Sequence, residues 1–316
     1  MSLLRRRTVF AAKAEATVGT AETLTASEGV FNVYDLLIQP NISMTQREGQ
    51  GAFNYLAAIA AGRQGTATFS TDIYWGGDSG SLPPWATVLL PACGWVNTSG
   101  TFKPKTAKPG TTSSDPRTIT IGGFVDGKYR KLSGCMGTFS IDLPTGDLGR
   151  INWTFSGKWE AETDSTIIAP TYPTDLPSRC AGDTFQLNNA NICVASATID
   201  AGNTVVMREC TTHVSGYASA IVTNRQPVIT ADPEAVLVAS LDRYLALTAS
   251  TEYELEYKLP TAGSGTIIFL APKAQIQTIA QGNRNDIVTD DITWQCNKNG
   301  TTNDEELTIQ FVDATP

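Results

Sequence analysis

The chain has 316 residues, 41% hydrophobic and 17% charged, a balance that fits a folded globular protein of low charge density and excludes a disordered one. Its formal net charge of −8 argues against a basic nucleic-acid-binding face, because such binding rests on neutralising phosphate with Lys and Arg. No run approaches the roughly 20 apolar residues that a membrane-spanning helix needs, and 27 Gly with abundant Thr and Ser favour strands and turns.

Residues 1–33 read as an N-terminal arm. It opens on the polar Arg5-Arg6-Arg7, and its apolar stretch Val9 to Ala12 is broken by Lys13. That is shorter than the roughly 7–15 apolar residues of an export signal, so a reducing cytoplasm is the expected place of folding. A first β-rich unit spans 34–160. A strand is expected over 30–38, with Pro40 excluding a central ladder position beyond it. Another strand follows over 65–70. The turn-rich Gly76-Gly77-Asp78-Ser79-Gly80 leads to Pro83-Pro84, which suits the first turn of a helix near 83–93, limited by Pro91 and Gly94. Residues 97–117 form a long loop or extended hairpin rich in Thr, Ser and Pro, carrying Lys103, Lys105 and Lys108. Strands are expected at Thr138–Leu143 and Ile151–Phe155, where Trp153, Phe155 and Trp159 share one face as core.

Residues 161–189, with Pro170, Pro173 and Pro177, link to a second unit over 190–316. Strands at Ala197–Asp200 and Tyr217–Val222 precede a helix over 233–248, for which Asp232 suits the N-cap and Pro233 the first turn. Strict alternation in 252–258 puts Tyr253, Leu255 and Tyr257 on one face and Glu252, Glu254 and Glu256 on the other. Strands at 266–270, 274–279, 292–296 and 306–311 complete the unit. Strands, one helix and strands thus occur twice. Segment 41–44 matches 197–200, and 65–70 matches 217–222. The fold class is mostly β: two tandem sandwich-like units, each with one helix.

No set of residues carries chemistry. The single His213 stands in a turn with no G-x-S-x-G elbow. The acids at i and i+2 of a strand form a solvated row rather than a catalytic pair. Cys93, Cys135, Cys180, Cys193, Cys210 and Cys296 are scattered, without a C-x-x-C pair, so neither a disulfide framework nor a zinc site is expected. No cofactor is expected.

Several segments resemble the tail tube proteins of long-tailed bacteriophages. Glu15-Ala16-Thr17-Val18-Gly19-Thr20 is similar to an "E-x-x-x-G-T" opening, and Ile42–Glu48 to a strand carrying an Arg. Ser79–Gly94 resembles a Gly/Ser/Pro stretch leading into a helix that ends at Cys-Gly, and Asn224–Glu234 a turn into the later helix. The resemblance covers most of the chain and implies a non-enzymatic virion protein of duplicated tube-domain type. Its implied partners are further copies of itself, in a trimeric ring of pseudo-sixfold symmetry stacked into a tube, other tail proteins, and genomic DNA that passes without tight binding. Its place is the virion tail, after assembly in the host cytoplasm. On this reading Arg5, Arg6, Arg7, Lys103, Lys105 and Lys108 make contacts between rings, and Glu252, Glu254 and Glu256 line the lumen. Alternatives are another β-sandwich virion protein (tail terminator, hub or capsid decoration) and a carbohydrate-binding adhesin that uses the tryptophans.

Overall fold

A computed structural model describes residues 4, 6–51, 53–78, 80–261 and 265–313. Arg5, Ser79, Gly263 and Ser264 lie outside them. The chain is mostly β. In the first half β1 (Thr8–Ala14), β2 (Val33–Glu48) and β3 (Tyr55–Asp72) precede a π-helical segment, Trp85–Leu89, that runs into α1 (Leu90–Ala92). Then come β4 (Trp95–Thr98), β5 (Thr101–Pro104), β6 (Ile119–Val125), β7 (Lys128–Pro144), β8 (Arg150–Trp159) and β9 (Thr163–Asp164). The later half holds β10 (Thr184–Leu187), β11 (Ala190–Asn191), β12 (Ser196–Asp200), β13 (Asn203–Glu209), β14 (Tyr217–Arg225) and β15 (Val228–Ala231). After α2 (Arg243–Thr248) it closes with β16 (Glu252–Pro260), β17 (Thr266–Arg284), β18 (Ile287–Cys296) and β19 (Thr308–Val312).

One antiparallel ladder runs through both halves in the order β2-β3-β8-β7-β12-β15-β18-β17. The long strands β7 and β17 each serve twice. The first part of β7 pairs with β6, which pairs with β1, while its last five residues pair with β12. The first part of β17 lies between β16 and β19, and its last part pairs with β18. Alternation aims one face of the ladder at the core, where Phe69, Phe139, Trp153, Ile199, Ile229, Ile276 and Trp294 are all buried. The first helix buries one side, with Trp85, Ala86, Leu89, Leu90 and Ala92 at 0% exposure, while Thr87 is exposed. Cys93, Cys135, Cys180 and Cys296 are core residues too, and burial pushes the Cys180 thiol up to about 11 and that of Cys296 up to about 12.

Two features depart from the sequence reading, in segment 1–33 and in the second helix, and two others refine it. Segment 1–33 contributes an internal strand, β1, whose Phe10, Ala11 and Ala12 are buried against β6. The second helix spans only Arg243–Thr248, capped by Asp242, whose Oδ1 accepts from the Leu245 amide at 2.8 Å. Asp232 instead accepts from the amides of Ala195 (2.8 Å) and Ser196 (2.9 Å), tying down the start of β12, and this use of its carboxylate replaces the helix cap. Pro40 sits within β2, tolerated because that strand is an edge. Of the two forms expected for 97–117, a hairpin is present in its first part: β4–β5 spans 95–104 with Phe102 buried, and irregular chain follows it.

A residue pattern recurs along the chain at an offset other than the one the apolar runs suggest. Tyr55-x-x-Ala58-Ile59-x-x-x-Arg63-Gln64 in β3 matches Tyr217-x-x-Ala220-Ile221-x-x-x-Arg225-Gln226 in and after β14. The partner strands β2 and β13 end in Arg47-Glu48 and Arg208-Glu209, and Glu48 faces Tyr55 as Glu209 faces Tyr217. Period-two alternation looks the same after any even slip, so pattern alone could not fix this offset.

Candidate assembly surfaces

The two halves are joined by backbone pairing. Residues 140–144 of β7 run antiparallel to 196–200 of β12, from Ser140 opposite Asp200 to Pro144 opposite Ser196. The repeat assigns a counterpart to each side of this joint. Residues 35–39 of β2 correspond to 196–200, and 280–284 of β17 correspond to 140–144. These counterparts are the two ends of the eight-strand ladder. Among the described residues, 37–39 pair only towards β3 and 280–284 only towards β18, while Asp35 and Leu36 form a bulge in which Asp35 has a positive φ of 52°. Two open strand edges, each the copy of an edge already used once inside the chain, are primed for pairing.

The ladder face opposite the core carries cross-strand rows of small polar side chains. One row is Asp72, Arg150, Asp142, Thr198, Thr230, Thr293 and Thr278. The next is Ser70, Asn152, Ser140, Asp200, Val228, Gln295, Gln275 and Glu252. Asn152 Nδ2 donates to Asp142 at 2.7 Å, and Tyr34 Oη donates to Asp72 at 2.6 Å, a bond that raises the tyrosine pKa. Four carboxylates against one guanidinium make these rows net negative. Glu252 ends the second row, where Asn297 Nδ2 donates to it at 3.1 Å. Glu254 and Glu256 continue along β16, outside the eight-strand ladder, and Glu256 meets Lys258 at 2.8 Å. Leu255 and Tyr257 are buried beneath them, as alternation requires.

The two matching hairpins have different surroundings. The β13–β14 hairpin lies on the first half. Asn203 Nδ2 donates to the carbonyls of Cys93 (2.7 Å) and Gly137 (3.0 Å), and the Arg63 amide donates to the Ser215 carbonyl at 2.9 Å. Gly134 allows the close approach: a Cβ there would stand 3.1 Å from Ser219 Cα. Tyr217 packs on Gly62 in the same way, and Ala218, Ser219 and Ala220 are buried. The longer β2–β3 ribbon leaves Ile42, Met44, Phe53, Tyr55, Leu56 and Ile59 exposed, with Tyr55 at 66%.

The charged candidates are dispersed. Arg6 and Arg7 are exposed, and Arg7 pairs with Asp126 at 2.7 Å. Lys103 meets Glu305 at 2.5 Å, Lys105 meets Asp115 at 3.0 Å, and Lys108 is exposed. Thr106 binds Asp304 through its amide (3.0 Å) and hydroxyl (2.6 Å), and Arg225 grips both Asp304 and Glu306. Loop 105–117 is thereby tied to the end of the chain, through partners about two hundred positions away that local patterning does not reveal. Among the described residues no group of three or more His, Cys, Asp or Glu converges to hold a metal, and His213 is exposed.

Glu15 has a role that composition alone does not signal. It is 1% exposed and accepts from the amides of Gly19 (2.8 Å) and Gly134 (2.6 Å) and the hydroxyls of Thr118 (2.6 Å) and Thr120 (2.9 Å). The four-residue spacing to Gly19 closes a turn on its own carboxylate, and the positive φ of 75° at Gly19 suits glycine. Lys158 donates to the Gly19 carbonyl from the other side.

No curated protein matches the chain. The profile of the phage tail tube protein family matches residues 5–296, nearly the whole chain. Open strand edges are surfaces on which copies of a chain can join, and the chain belongs to the phage tail tube protein family, structural proteins of the virion tail.

Proposed function

We propose that this protein forms rings that stack into the tail tube and pass DNA. The observation that carries the reading is the β7–β12 joint together with the open counterparts of both its edges. Pairing 280–284 of one copy with 35–39 of the next repeats the joint between chains, with Gly282 opposite Leu37 and Arg284 opposite Asp35. Pro40 falls one residue past this segment, at the place corresponding to Ala201, whose amide donates to the Phe139 carbonyl at 3.0 Å; proline has no N–H, so that one bond is missing from the joint between copies. The contact is head-to-tail, so it generates a ring when the rotation closes. Three chains, each of two units divided at 34–160 and 190–316, supply six similar positions. Closing the ladder removes its sticky edges.

The polar face then lines the lumen. Asp142, Asp200 and Glu252 repel phosphate within a Debye length of about 8–10 Å, buried Asp72 lies beside the one cation of the rows, Arg150, and Thr, Ser and Gln offer no anchor, so DNA slides. Glu254 and Glu256 extend the acidic lining at its rim. Arg5, Arg6, Arg7 and the segment carrying Lys103, Lys105 and Lys108 face the next ring, where salt weakens the contact. Assembly takes place in the host cytoplasm, and other tail proteins cap the tube. Negative-stain microscopy and native mass spectrometry of concentrated protein test the reading. Hollow rods built of three-chain rings are expected; chains that remain monomeric at every concentration and ionic strength would overturn it.

A further inference from the structure

We infer that the β2–β3 ribbon is a clasp that lies across the second half of the next copy in the ring. The inference rests on the ring reading above and adds a contact that edge pairing alone does not require. It starts from an inequality between two matching elements. The β13–β14 hairpin is docked: its Ala218–Ala220 side is buried and its tip meets Gly62-Arg63. The β2–β3 ribbon has the same Arg-Glu ending on one strand and the same Tyr-x-x-Ala-Ile-x-x-x-Arg-Gln run on the other, yet nearly all the described residues of its outer part are exposed. A two-stranded hairpin is at best marginally stable alone in water. This one also presents Met44, Tyr55, Leu56 and Ile59 to solvent, an exposed apolar display that marks an interaction surface.

The occupant is a second copy, because the chain already shows what this hairpin type docks on. The dock of β13–β14 is the β7 stretch 134–137, the end of the first helix at Cys93, and Gly62-Arg63. The repeat maps these onto the β17 stretch 273–276, the end of α2 at Ala249-Ser250, and Asn224-Arg225. Within one chain, the second half both edge-pairs with the first and lays its hairpin on it. The first half of a neighbour, edge-paired to β17 of one chain, therefore carries its ribbon over that chain's second half, and its tip arrives at that chain's Asn224. Leu56 replaces the smaller Ala218 at the matching position, so the clasp contact buries more apolar surface than its internal copy.

A disulfide tests this, since it forms only across Cα separations below about 7 Å. Tyr55→Cys and Asn224→Cys, both at exposed positions, are combined in the full chain carrying Cys193→Ser and Cys210→Ser, and oxidised after assembly. The double variant is expected to run as covalent dimers and trimers on a non-reducing gel, with the 55–224 link found by mass spectrometry and each single variant unlinked. In the unaltered chain, amides of 42–48 and 55–60 are expected to exchange at least ~10-fold more slowly in rings than in free subunits. Rings that assemble without the link and without slowed exchange would overturn the clasp and leave the ring reading standing. Absence of rings, link and slowed exchange together would overturn both.

Discussion

Replacing Glu15 with alanine is expected to destabilise the fold by about 3–5 kcal/mol, because four buried donors lose an acceptor and only the Gly19 amide keeps another, the Thr118 hydroxyl at 3.4 Å. The carboxylate sits where β1, β6 and β7 meet and where Gly134 lets the β13–β14 hairpin come close. Its loss loosens the joint between the halves as well as the first sheet. Glu15→Gln keeps the shape but turns an amide NH₂ towards donors, so it is expected to recover only part of the loss. Chemical denaturation checks both variants, and a change below about 1 kcal/mol for Glu15→Ala would contradict the role assigned to it.

Phe311→Ala is expected to cost a similar ~3–5 kcal/mol, for a reason of packing rather than polarity. Phe311 belongs to β19, near the end of the chain, yet its ring lies against residues of the first half: Trp75 at 5.1 Å, Trp85 at 5.6 Å and Phe102 at 5.7 Å between centroids. Its amide donates to the Gly100 carbonyl at 2.9 Å. Truncation leaves a cavity between three large rings that cannot all collapse into it. Gln310→Ala, one position away on the other strand face, is expected to change stability by less than about 0.5 kcal/mol. Thermal or denaturant unfolding of the pair separates the two cases, and equal losses would show that β19 matters for its backbone pairing alone.

Local pattern made much of this fold legible. Alternation in Glu252–Lys258 placed Leu255 and Tyr257 inside, and Trp153 with Phe155 announced a core strand face. What pattern missed depends on distance along the chain. β1 is too short and too close to Arg5-Arg6-Arg7 to stand out, and its partner β6 lies more than a hundred residues away. Asp232-Pro233 has the chemistry of a helix start, but the amides of Ala195 and Ser196 claim the carboxylate. Lys103 reads as a free charge until Glu305 is seen beside it. The assembly surfaces were only half visible. The Tyr-x-x-Ala-Ile-x-x-x-Arg-Gln repeat is written in the sequence, but it takes the structure to show that one copy is docked and the other is not.

The central claim is that the chain repeats its own internal joint between copies. A high-resolution cryo-electron microscopy map of the assembled tube tests it most directly. The account predicts residues 280–284 of each chain antiparallel to 35–39 of the next, in the register of 140–144 with 196–200, with the Thr-rich rows facing the lumen. A map in which either edge is capped by another segment, or in which those rows face outward, would contradict it.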